Sequence, residues 1–156
     1  MIEVVRIAAL IAVLSTGVVY GTDVFCALVQ RPALARVDDR ALTTVMGNVH
    51  RYGDRRMPIP GALGIIAAAT CAAVAGMAGR WVAAIPAATA VGLLLAWIVL
   101  YRNVSAPINR QLVAAAEAGD VPSNVRLLQR NWDRIITTRA VLQGLAVAAL
   151  CVALLI

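Results

Sequence analysis

Trp81–Tyr101 reads WVAAIPAATAVGLLLAWIVLY, a run of 21 residues without a charge. About 20 apolar residues cross the hydrocarbon core of a bilayer as a helix. In hydrocarbon every backbone N–H and C=O needs a partner within its own segment, so such a run is a helix. Working outward, three more apolar stretches flank it: about Val4–Val29, Ile59–Ala78 and Ile135–Ile156. None alternates with period two, which argues against a barrel.

The rest of the composition agrees. The 156-residue chain is 62% hydrophobic and only 14% charged. A water-soluble domain needs far more charge on its surface. The length fits one domain. The net charge is +6, and all 14 basic residues are arginine. With this hydropathy the charge speaks for a membrane and against nucleic acid. Cys26, Cys71 and Cys151 lie far apart within or beside apolar runs and read as small buried hydrophobes. The first 20 residues carry Glu3 as well as Arg6 and no A-x-A cleavage site, so they read as a retained helix.

Charge also sorts the connections. Helices two and three meet in a tight turn at Gly79–Arg80, whereas the first and third connections each run to about thirty residues. Those two hold eleven arginines, against Arg6 and Arg80 on the other side. The positive-inside rule puts the long connections in the cytoplasm and both termini outside, here of a bacterial inner membrane. Within the connections, Asp38–Tyr52 reads as an amphipathic helix through Leu42, Val45, Met46 and Val49. Pro107–Ala118 reads as another, closed by Gly119. Ser105–Ala106–Pro107 reads as a turn before it. Asp120 and Ser123 are capable caps for a fourth helix starting near residue 123. Trp81, Tyr101 and Trp132 sit beside arginines and read as interface anchors. Ala68, Ala72 and Gly76 mark a close-packing seam, within the bundle or between protomers.

Few residues can carry chemistry. Asp23 is the one acid well inside an apolar run, and Tyr20 precedes it by three residues. Such a group faces an interior or water, as a proton acceptor or as the partner of an arginine. Arg139 lies where helix four enters the membrane and needs a partner, for which Asp23 is the candidate. His50–Pro58 gathers an imidazole, Tyr52, a carboxylate, Arg51, Arg55 and Arg56. His50 is the only histidine, open to reading as a general base or a metal ligand. The same string also reads as an anchor for phosphate headgroups. Asn103, Asn109 and Arg110 form a second polar group. One histidine excludes bis-histidine haem within one chain. A haem on His50 alone, with Met46 one turn before it, stays open, but no motif requires a cofactor.

These residues carry a resemblance. The chain resembles the anthrone-oxygenase-like family of small bacterial and fungal membrane proteins, largely a domain of unknown function. The likeness covers nearly the whole chain. Its most specific part is Asn103, Pro107 and Asn109 in an Asn-x-x-x-Pro-x-Asn pattern, then Trp132 with Arg139 seven residues on. Gly17, Gly21 and Arg31–Pro32 also look similar. Many members carry a histidine four residues after the tryptophan, where this chain has Ile136. The resemblance implies a four-helix bundle and an oxygenase or oxidoreductase acting on a lipid-soluble aromatic or quinone-like substrate. His50 or Asp23 would then be the base. Arg139, Arg55 and the asparagines would stabilise an oxyanion, with Tyr20 and Trp132 flanking the rings. Tyr52 and Arg56 complete the substrate-binding set. Two other readings stand beside it: a non-catalytic accessory or assembly subunit, and a small proton-coupled transporter using Asp23. The expected fold is an all-α four-helix transmembrane bundle with short amphipathic cytoplasmic helices, as a homo-oligomer or within a larger membrane complex.

Overall fold

The computed structural model describes residues 1–156, and all of its regular structure is helical. Four helical rods, Ile2–Leu34, Asp39–Met77, Trp81–Ala118 and Val125–Leu155, are each long and apolar enough to cross a membrane. The chain is a multi-pass membrane protein with an all-α four-helix bundle. The rods subdivide into α1 (Ile2–Phe25), α2 (Arg31–Leu34), α3 (Asp39–Arg56), α4 (Pro58–Met77), α5 (Trp81–Leu100), α6 (Ala106–Ala118) and α7 (Val125–Leu155). α1 packs on α4 and α7, and α5 packs on the same two, giving a ring in the order α1, α4, α5, α7.

The amphipathic segments are not separate pieces but continue the long helical rods. α3 runs into α4 with only Met57 between them. α5 passes into α6 through a π-helical turn, Tyr101–Ser105, and a matching turn, Cys26–Gln30, joins α1 to α2. Ser105 and Ala106 are therefore helical, not the expected turn. Pro107 fits because the first turn of a helix needs no N–H there. The bundle thus continues past its apolar zone. Leu42 and Met46 of α3, Ile108 and Leu112 of α6, and Val125, Leu128, Trp132 and Ile136 of α7 form one core at this end. Gly47 makes the α3–α6 contact: a Cβ there would lie 2.7 Å from the Leu112 carbonyl oxygen.

Local signals explain the ends. Asp38 Oδ1 accepts the Ala41 N–H at 2.7 Å and caps α3. Gly119, at φ +68°, closes α6. α7 starts at Val125 after Asn124, and neither Asp120 nor Ser123 caps it; Asp120 instead accepts from Val121 N. Arg126 fixes that start, donating to Asp39 at 2.6 Å and to the Leu34 and Val37 carbonyls. At about 1.5 Å per residue α7 is roughly 46 Å long, well beyond a bilayer core.

At the opposite end the helices touch through small residues. Cys71 and Ala75 of α4 meet Ala8 and Ala9 of α1, Ala83, Ala84 and Ala87 of α5, and Ala153 of α7. The seam lies inside the bundle, with Ala68 fully buried and Ala72 and Gly76 half-buried. Arg80 donates to the Ile156 carbonyl, so the short turn and the C-terminus share this end.

Candidate functional site

The apolar spans end in a polar interior on the side of the long connections. Asp23 and Arg139 are 3% and 6% exposed, far less than charged groups tolerate alone. They face each other: Arg139 Nη2 donates to Asp23 Oδ1 at 2.9 Å. Gln143, one turn further along α7, donates to Asp23 Oδ2 at 2.5 Å. Arg139 Nη1 donates to Ser105 Oγ at 2.8 Å. Ser105 closes the π-helical turn, and Asp23 lies just before the other one. Each turn holds an extra residue per ring of hydrogen bonds, a distortion found often at functional sites. Three aromatic rings surround the guanidinium: Tyr101 at 5.6 Å, Trp132 at 5.9 Å and Trp97 at 6.0 Å from ring centroid to Cζ. Such packing favours a cation away from water.

A second network joins the first through Tyr101 and Trp132. Tyr101 Oη donates to Asp54 Oδ1 at 2.8 Å, and Asn109 Nδ2 donates to the same carboxylate at 2.9 and 3.2 Å. Asn109 Oδ1 accepts from Trp132 Nε1 at 3.1 Å, which fixes the orientation of the amide. His50 lies against Trp132 with ring centroids 5.4 Å apart. It is 5% exposed, and its Nε2 is buried with no hydrogen-bond partner. α3 carries four arginines and lies outside the apolar span. Burial there, and then the Arg139 charge, push His50 down to about 4. The imidazole is therefore neutral at physiological pH.

Between these groups lies a cavity of about 370 Å³. Val19, Gly61 and Ile98 give it apolar walls, while Asp23, His50, Asp54, Asn109 and Arg139 supply the polar groups. Thr22, Pro58, Ala62 and Arg102, all in the loop-side turns of their helices, line it and remain exposed. The opening therefore lies at the border of the apolar zone. Pockets of this size, mostly apolar with a few convergent polar groups, suit small organic ligands.

The structure brings together Asp23, His50, Asn109, Trp132 and Arg139 of the expected set. It does not bring the others. Tyr20 packs against Gly144 on the α1–α7 seam, because both are small or flat enough for close approach there. Tyr52 is on the exposed face of α3, with Arg56 stacked on its ring at 5.2 Å. Arg55 faces a separate groove with Arg110, and Asn103 is exposed on its π-helical turn. Trp132 is buried within the bundle, so its ring does not face headgroups as an anchor would; Trp81 is 63% exposed.

Five participants escaped sequence reasoning: Trp97, Ser105, Gln143 and the roles of Asp54 and of Tyr101, which reads in the sequence only as an interface anchor. A signal existed for two. Gln143 is the amide one turn past Arg139 within an apolar span, and Trp97 precedes Tyr101 by one turn. No three His, Cys, Asp or Glu side chains group to hold a metal ion. Met46 does not join His50 at the cavity: its sulfur accepts from Gln30 at 3.3 Å within the neighbouring core. Met46 is therefore not placed to be a second haem ligand beside His50. Comparison with known proteins gives no match among family models, curated proteins or solved structures.

Proposed function

We propose that the cavity binds a planar, lipid-soluble aromatic or quinone-like molecule and that the protein is an oxygenase acting on it. The observation that carries this reading is the buried, unpartnered Nε2 of His50 in the wall of an aromatic-lined cavity that also holds Arg139. The resemblance to anthrone oxygenases supplies the reaction class. We also read the arginine-rich end as cytoplasmic, in a bacterial inner membrane.

The chemistry divides among the residues by what each has free. His50 is neutral and unpartnered, so it can take a proton from an activated ring C–H. Asp23 has both carboxylate oxygens engaged, so it orients Arg139 and is not the base. Arg139 Nε has no partner, and its charge stands where an oxyanion on the ring system would form. Trp97, Tyr101 and Trp132 offer ring faces for stacking. For an anthrone the balance is simple. The methylene loses a proton to His50, and the electron pair spreads to the ring oxygen. Dioxygen is the co-substrate and oxidant. One of its atoms becomes the new ketone oxygen, and the other leaves as water with the two methylene hydrogens. An Asp23 closed in this way does not support the transporter reading, which needs a carboxylate free to bind a coupling ion.

The test is oxygen uptake with anthrone by protein in nanodiscs. Wild type should exceed the uncatalysed rate, and His50→Gln should fall by about 10²-fold or more, the usual worth of a positioned base. Uptake by a folded His50→Gln protein equal to wild type would remove His50 from the reaction.

A further inference from the structure

The geometry points to His50 as a two-sided relay that exchanges its proton with bulk water through a groove distinct from the membrane cavity. The inference rests on the proposed role of His50 as proton acceptor and adds where that proton goes.

The groove lies between α3 and α6 and measures about 300 Å³. It is lined by Arg51, Arg55, Arg110 and Glu117, all exposed, and lies outside the apolar spans. Charged walls outside the apolar spans favour water over lipid. Two side chains line both the groove and the cavity: His50 and Asp54. Asp54 is tied by Tyr101 and Asn109. His50 is not tied. Its Nε2 has no partner, and no protein hydrogen bond involves Nδ1 either. In most histidines a hydrogen bond on one nitrogen fixes the tautomer. Here both nitrogens are free, so the ring can accept at one and release at the other.

The need for such a route follows from the reaction. The cavity opens at the edge of the apolar zone, where a lipid-soluble substrate enters and water is scarce. The proton taken from carbon must leave His50 before the next turnover, and one must return to form the departing water. Arg102 and Arg139 line the cavity with His50, and Arg51, Arg55 and Arg110 line the groove, against Asp23, Asp54 and Glu117. That balance opposes a lasting imidazolium and favours quick discharge to water. The proton count over the cycle is unchanged: one leaves by the groove and one comes back.

His50 is the only histidine, so labelled histidine gives a single ring signal. The experiment measures exchange of the ring N–H with water by NMR saturation transfer, in detergent, with and without anthraquinone filling the cavity. Ala114 lies exposed on the groove wall, and Ala114→Trp would plug it. Wild-type exchange should persist with anthraquinone bound, and Ala114→Trp should slow it by about tenfold or more. Ala114→Leu, a smaller plug, should give an intermediate effect. Exchange untouched by either plug, or stopped by anthraquinone alone, would overturn the relay. If anthraquinone leaves the His50 signal unmoved, the ring-binding reading of the cavity falls, while the plugs still decide the groove.

Discussion

The two ends of this bundle solve different problems with the same four helices. At the end holding the termini, helices approach through alanine, glycine and cysteine, and the interior is dry and closely packed. In lipid there is little hydrophobic drive between helices, so contact area and close approach supply the attraction. At the other end large side chains return, two π-helical turns widen the rods, and a charged pair is buried beside a cavity. Burying that pair gives stability no advantage over well-packed apolar residues. The arginine-rich end therefore carries features that cohesion alone does not require.

The contrast can be broken most forcefully at Arg139. Arg139→Met leaves Asp23 buried without its counter-ion, and removing one partner of a buried pair costs about 3–5 kcal/mol. Thermal unfolding in detergent should show that loss, and the added change Asp23→Asn should restore part of it. A single variant as stable as wild type would mean that water reaches Asp23. Next comes Ala75, at the dry end. It is fully buried among Ala8 and Ala9 of α1 and Ala83, Ala84 and Ala87 of α5. Ala75→Leu should cost about 1–3 kcal/mol by forcing these helices apart. It should leave binding of a ring ligand at the far end within about twofold of wild type.

The smallest effect on stability belongs to His50, although its effect on turnover is the largest. No hydrogen bond is lost in His50→Asn, so unfolding should change by about 1 kcal/mol or less at pH 7.5. The pH dependence sharpens this. Folding lowers the His50 pKa from 6.5 to about 4. The unfolded chain therefore binds the proton more readily, and stability falls as pH drops from about 6.5 toward 4. His50→Asn should flatten that part of the profile. An unchanged profile would assign the acid sensitivity to other groups.

The dry end was almost wholly legible in the sequence, because apolar length and small-residue spacing are local signals. The bundle and the segregation of the arginines followed from run lengths and charge counts. Even the partnership of Asp23 with Arg139 could be read, since each is the lone charge at its depth and an unpaired one is expensive. The cavity was less legible. Which face Tyr20 presents depends on the rotation of α1, and a shift of one residue turns a side chain by about 100°. That rotation is set by packing at Gly144, far along the chain. The π-helical turns change the register again between Asp23 and Arg31 and between Trp97 and Asn109, with no sequence mark to announce them. Asp54 stood within a conspicuous polar string. Its role required knowing that α3 packs on α6, through the close approach at Gly47.

The most direct measurement uses the three tryptophans, two at the cavity and one at the dry end. Anthraquinone should quench fluorescence of the protein in nanodiscs saturably. Trp97→Phe and Trp132→Phe should each remove part of the saturable quenching, and Trp81→Phe should leave it intact. Quenching that never saturates, or that is lost with Trp81 instead, would contradict a ring-binding site at the arginine-rich end.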